Sequence, residues 1–285
     1  MNSISLSNEH VLISAYNYDN SCVKKIKSLI EEKYAFLFKA VIIHGSLGTN
    51  EDINFSDFDG LLIVKDNWLK SKELLSFKKE SFKIVLEYDP LQHHGWFQLR
   101  ESDLNNYPNN YLPLSVLRNS KLIFPNTSEI ELNVQLNDFI DYKEALFNIL
   151  ASLEARLTLN WKPKNMFQLK SFLSQIMLIP CLFYSALNNK GIFKRESFQA
   201  VKPYFSDEEW SPIKLCSKAR LNWEYDLNFI QKALMHRPER ILRKLTKKVI
   251  SPPIDYEKFD CVTNDNFMNL LSLFIKKIKS HKDLQ

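Results

Sequence analysis

The spacing of apolar positions changes period several times along the first half of the chain. In "SCVKKIKSLIEEKY", residues 21–34, apolar side chains recur at helical spacing and predict a helix. "AFLFKAVIIHGS" is β-branched and aromatic enough for a strand, and "DFDGLLIVKD" reads as a second. "NWLKSKELLSFKKE" predicts another helix. "SFKIVLEYDP" alternates as a third strand closed by Pro90, and "HGWFQLRES" predicts a fourth. A stretch rich in Pro and Asn, "YPNNYLPLSVLRNSKLIFPNTSE", follows. From about Leu132 the pattern becomes helix after helix, beginning with "VQLNDFIDYKEALFNILASLEARLTLN" and ending with "DNFMNLLSLFIKKIKSHK". "SDEEWSPIKLCSKA" opens with a capping box, Ser206 with Glu209. The pattern thus predicts an α+β chain: a small mixed-sheet domain at 1–128, then an all-helical domain at 129–285, with the boundary between residues 125 and 131.

Composition narrows the class. At 285 residues and 45% apolar, the chain can bury one large core or two smaller ones. A net charge of +5 suits anionic ligands but is too low for a dedicated duplex-DNA binder. Cys22, Cys181, Cys216 and Cys261 are widely separated, with no C-x-x-C spacing, so reduced thiols and a cytoplasmic setting are expected. The N-terminus has no basic region leading into an apolar core. The longest apolar run, "IMLIPCLFYSAL", reads as too short to span a bilayer, so a soluble protein without a membrane partner is expected.

The candidate chemistry lies in "HGSLGTNEDINFSDFDGLLIV". Only five glycines occur in the chain, and three stand here, Gly45, Gly48 and Gly60. Asp57 and Asp59 are one residue apart at the start of an apolar run, so in extended backbone they share a face while Phe58 points into the core. Two carboxylates on one face repel unless a cation lies between them, and Mg²⁺ takes such carboxylates together with phosphate oxygens. Gly45 has no Cβ to keep a phosphate away from the backbone, and Ser46 offers an amide and a hydroxyl. A third acid is open between Glu87 and Asp89, which share a face if "KIVLEYDP" is a strand; Asp89 is favoured for its place beside the polar "PLQHHG". His93 and His94, being adjacent, would face opposite ways in extended chain. Arg118, Lys170, Lys194 and Arg195 are candidate triphosphate contacts.

Gly45-Ser46, a ten-residue gap, then Asp57-Phe58-Asp59 within apolar strands resembles the signature of the DNA polymerase β-like nucleotidyltransferase superfamily. The resemblance covers roughly residues 22–125, and the helical remainder is similar to the second domains of antibiotic nucleotidyltransferases. It implies that Gly45 and Ser46 bind the triphosphate of an NTP, most simply ATP. It implies also that Asp57 and Asp59 bind two Mg²⁺ ions, and that an acid on a later strand, Asp89 or Glu87, completes the site. The implied reaction moves an NMP to a hydroxyl of a small molecule and releases pyrophosphate. A protein side chain is the nearest rival acceptor, and a nucleic acid suits the modest charge less. A serine hydrolase is disfavoured because His44 stands where the G-x-S-x-G elbow needs its first glycine, and a P-loop or Rossmann binder lacks its glycine-rich loop. A regulatory module that binds nucleotide without catalysis is the remaining alternative.

Overall fold

The structure, a computed structural model, describes residues 7–136 and 140–284. It is α+β: a small mixed sheet with a mostly helical C-terminal region. Two compact units are present, Met1–Ile140 with Lys232–Arg243, and Asp141–Gln231 with Lys244–Gln285.

In the first unit, β1 (Ser7–Ser14) is followed by α1 (Ser21–Leu29), which widens into a π-helical turn at Ile30–Tyr34. Then come β2 (Phe38–Ile43), the helical turn α2 (Gly45–Gly48), β3 (Gly60–Val64), α3 (Lys72–Tyr88) and β4 (Phe97–Arg100). The short α4 (Leu114–Leu117), β5 (Lys121–Phe124) and β6 (Glu129–Leu136) complete it. The strand order is β4-β3-β2-β5, with β3 parallel to β4 and β2 antiparallel to both β3 and β5.

Why β2 and β3 read as unbroken apolar runs is now clear: both of their faces are covered. Val41, Ile43, Leu62 and Val64 face a core built with α1 and α3. Ala40, Ile42, Leu61 and Ile63 face a second core, shared with Leu99 of β4 and with Val11, Ile13, Leu132 and Val134. The last four belong to β1 and β6, which pair antiparallel as a separate two-stranded sheet.

Three expectations are corrected here. The third strand does not exist: "SFKIVLEY" is the second half of α3. Ser71 caps that helix, accepting from Leu74 N at 3.0 Å, and no Gly or Pro interrupts the next seventeen residues. Its buried residues Leu74, Phe77, Ser81 and Val85 recur every three or four positions, a helical period that outweighs the short local alternation. The expected run of helices from Leu132 is displaced by β6, and the first unit continues through Ile140 rather than ending at 128. Residues 137–139 of that expected helix lie outside the described residues, as do 1–6 of the N-terminal stretch.

The second unit holds α5 (Tyr142–Thr158), α6 (Met166–Ile176), α7 (Ile179–Asn188), α8 (Lys194–Val201), α9 (Ser211–Leu221), α12 (Tyr256–Thr263) and α13 (Asp265–Lys279). Between them in sequence, α10 (Phe229–Met235) and α11 (Arg240–Leu245) straddle the returning segment Lys232–Arg243. The capping box before α9 is present in both directions: Ser206 N donates to Glu209 Oε2 at 2.8 Å, and Glu209 N donates to Ser206 Oγ at 3.2 Å. The third correction concerns the apolar run. Met166–Asn188 is 23 residues long and apolar enough by composition to cross a bilayer, but 61% of its most apolar window is buried inside the protein, as in a core helix pair.

Candidate functional site

β2 ends at Ile43, and the chain turns through His44 into α2. The ladder between β2 and β3 reaches one step past the strand ends, because His44 N donates to Asp59 O at 2.9 Å. This places Gly45 beside Asp59. Gly45 has φ +64°, and a Cβ built on it would collide with Asp59 Oδ2. The missing side chain therefore makes room for the Asp59 carboxylate first of all. Ser46 Oγ donates to Ser56 Oγ at 2.9 Å, and Ser56 Oγ in turn accepts from Ile53 N at 3.0 Å, so the hydroxyl ties α2 to the loop that leads to the aspartates.

Phe58 is buried in the core against α1 and α3, as its parity with Leu62 and Val64 requires, and this turns Asp57 and Asp59 toward the other side. The element is clamped by Gln92, itself buried. Gln92 Oε1 accepts from Phe58 N at 2.8 Å, and Gln92 Nε2 donates to Phe58 O at 2.9 Å and to His94 O at 3.0 Å. A single side chain thus saturates the backbone between the two acids. The loop carrying Gln92 is held in turn by buried Arg243, which donates to Pro90 O at 3.1 Å, Gln92 O at 2.8 Å and Met235 O at 3.2 Å.

That loop sets a histidine opposite each acid. His93 Nδ1 lies 3.5 Å from Asp57 Oδ1, and His94 Nε2 lies 3.1 Å from Asp59 Oδ1. The adjacent histidines do diverge, and each meets a different carboxylate. His94 Nδ1 faces Gly95 O at 3.0 Å, so both ring nitrogens look at oxygen acceptors and the doubly protonated ring satisfies both. Burial alone would lower its pKa, but the bond to Asp59 and the charges of Asp59 and Asp57 outweigh that and raise it to about 9. His44, almost enclosed beneath, is shifted the other way: burial lowers its pKa, the Asp59 charge only partly opposes this, and it packs on Phe97 with ring centroids 5.2 Å apart.

The other expected site residues take different places. Glu87 is on the exposed side of α3, ion-paired with Lys25 at 2.8 Å. Asp89 is the residue that ends α3; it is buried, and its Oδ1 accepts from Leu91 N at 3.0 Å to form the turn into the Gln92 loop. The two do not share a strand face. The later strand that neighbours β3 is β4, and its Phe97, Gln98, Leu99 and Arg100 include no carboxylate. Arg118 follows α4 and pairs with Glu9 of β1 at 2.6 Å. Lys170 belongs to the second unit, on α6, and is completely buried.

Among the described residues no three His, Cys, Asp or Glu side chains converge as a metal-holding group. Asp57 and Asp59 are nonetheless partly exposed, at 18% and 25% of their side chains, and each has an imidazole ring beside it. Two such carboxylates fit one Mg²⁺ whose remaining ligands are phosphate oxygens and water; a second ion would need further donors. No protein-family model matches the chain, and no curated protein matches it, so the superfamily resemblance rests on these residues alone.

The sequence pointed to Asp57, Asp59, Gly45 and Ser46. It did not single out Gln92, and it did not pair His93 and His94 with the acids. The polar run "QHH" directly after a helix end is the signal they left.

Proposed function

We propose that the chain binds a nucleoside triphosphate, ATP first, with Mg²⁺ at Asp57 and Asp59, and transfers its NMP to a hydroxyl of a small molecule, in a soluble, cytoplasmic setting. The observation that carries this reading is the clamped Asp57-Phe58-Asp59 element, held by Gln92 with its second acid pressed against Gly45. Mg²⁺, when bound, would polarise the phosphate oxygens and neutralise charge on the leaving group. The chain's own residues do the rest. Amides at the start of a helical turn have no acceptor within it, so those of Gly45 and Ser46 are suited to phosphate oxygens. The His94 imidazolium supplies a fixed positive charge beside Asp59, where the departing pyrophosphate gains charge. The acceptor oxygen attacks the α-phosphorus, the bond to the pyrophosphate oxygen breaks, and the hydroxyl proton leaves to solvent or a nearby base.

A second reading, nucleotide binding without transfer, is favoured by one observation: β4 lacks the carboxylate that the resemblance implies. Incubation with α-labelled NTPs, Mg²⁺ and a metabolite extract separates the two. Label in a small product, accompanied by pyrophosphate and absent from Asp57→Asn and Asp59→Asn, supports transfer. Label on a polypeptide would move the acceptor to a protein side chain, and label on an oligonucleotide to a nucleic acid. NTP binding with no transfer would establish the second reading.

A further inference from the structure

A cavity of about 340 Å³ lies in the first unit, lined by Lys78, Lys79, Phe82, Gly95, Trp96 and Pro238. This is at the small end of the range for small-molecule sites. Phe82, Trp96 and Pro238 give it flat apolar surfaces, and its charged groups are two ammoniums with no carboxylate among the lining residues. The Trp96 indole N–H donates to buried Ser81 Oγ at 2.9 Å, so the polar edge of the ring is satisfied inside the fold. Its far edge is wedged over Gly60, where a Cβ would collide with the ring, and against Phe58 and Phe77. Trp96 is thereby fixed as a wall rather than left to rotate. The Lys78 ammonium is directed to a neutral partner, the Gln98 amide oxygen, and burial pushes its pKa down. A partly desolvated cation that faces no anion is one that an incoming anion stabilises.

We propose that this cavity binds a small molecule with a planar ring and an anionic phosphate or carboxylate, the ring between Trp96, Phe82 and Pro238 and the anion on Lys78 and Lys79. The site is separate from the aspartate pair and does not depend on nucleotide transfer. Its tie to that pair is physical: Trp96 packs on Phe58 and Gly60, the residues that alternate with Asp57 and Asp59.

Phenyl phosphate, AMP, benzyl alcohol and inorganic phosphate, titrated without metal and followed by saturation-transfer NMR and tryptophan fluorescence, test this. Phenyl phosphate or AMP binds saturably; benzyl alcohol and inorganic phosphate, each lacking one half of the chemistry, bind roughly tenfold more weakly or worse. Whichever of the two ring-bearing phosphates binds more tightly shows whether the natural ligand is a nucleotide or another aryl anion. The double variant Lys78→Gln/Lys79→Gln loses roughly tenfold or more in affinity. Gly95→Phe, whose Cβ meets nothing within 4 Å, fills the cavity and blocks binding, with the circular dichroism spectrum checking that the variant is folded. Trp96→Phe removes the fluorescence response. No saturable binding of either ring-bearing phosphate, or binding that survives both the lysine and the Gly95 variants, would overturn the assignment.

Discussion

Gly45 combines a left-handed backbone with contact against the Asp59 carboxylate, and each separately disfavours a side chain. Gly45→Ala should destabilise the protein by about 1–3 kcal/mol in urea unfolding, whereas Gly95→Ala, with open space around its Cβ, should stay within about 0.5 kcal/mol. The two acids near the end of α3 are separable in the same way. Glu87 has only an exposed lysine for partner, so Glu87→Gln should leave both stability and any nucleotide-dependent activity near wild type. Asp89 satisfies the Leu91 amide inside the protein, and Asp89→Ala should cost about 1–3 kcal/mol. A Glu87→Gln enzyme with greatly reduced turnover would return that residue to the site.

At the scale of elements, the loop from Asp89 to Gly95 is the part that the aspartates depend on. His94 has a folded-state pKa raised to about 9 against about 6.5 when unfolded, so its contribution to stability is fully present below about pH 6.5 and is lost as pH rises through about 9. In chelator-containing buffer the melting temperature of the wild type should fall over that interval, and Asp59→Asn should flatten the dependence. An NMR titration of the His94 ring in the same variant should move its pKa down. Much of the sheet was legible beforehand because β2 and β3 are buried on both faces and say so in composition. β1 and β6 were not, although "EIELNVQL" alternates without a break, because the helical period of α5 starts a few residues later and the local pattern runs into it. In α3 the conflict runs the other way: eight residues of local alternation lie inside an uninterrupted helix-forming run with a serine cap, and the longer helical period prevails. That conflict carries into the site, since Glu87 and Asp89 are partners only on a strand that does not form. Gly45, Asp57 and Asp59 were legible because their spacing is local. Gln92 and the histidines act across some 34 residues of sequence, which no local pattern encodes.

For the whole molecule, two units with separate burial predict how its thiols behave. Burial raises the pKa of Cys22 to about 12 and of Cys181 to about 11, and pushes Cys216, fully enclosed on α9, higher still. Little thiolate exists at pH 8, so iodoacetamide should leave these three unmodified in the native protein and label all three after denaturation, as read by mass spectrometry. Rapid native labelling of Cys22 with Cys216 still protected would mean that the first unit opens on its own. Calorimetric titration of ATP into the wild type, Asp57→Asn and Asp59→Asn, each with Mg²⁺ and with EDTA, shows whether Asp57 and Asp59 hold a cation against a nucleotide. The wild type should bind saturably and only with Mg²⁺, and both variants should lose this binding while their circular dichroism spectra are unchanged. Equal binding in EDTA, or undiminished Mg²⁺-dependent binding by a folded Asp59→Asn protein, would contradict that role.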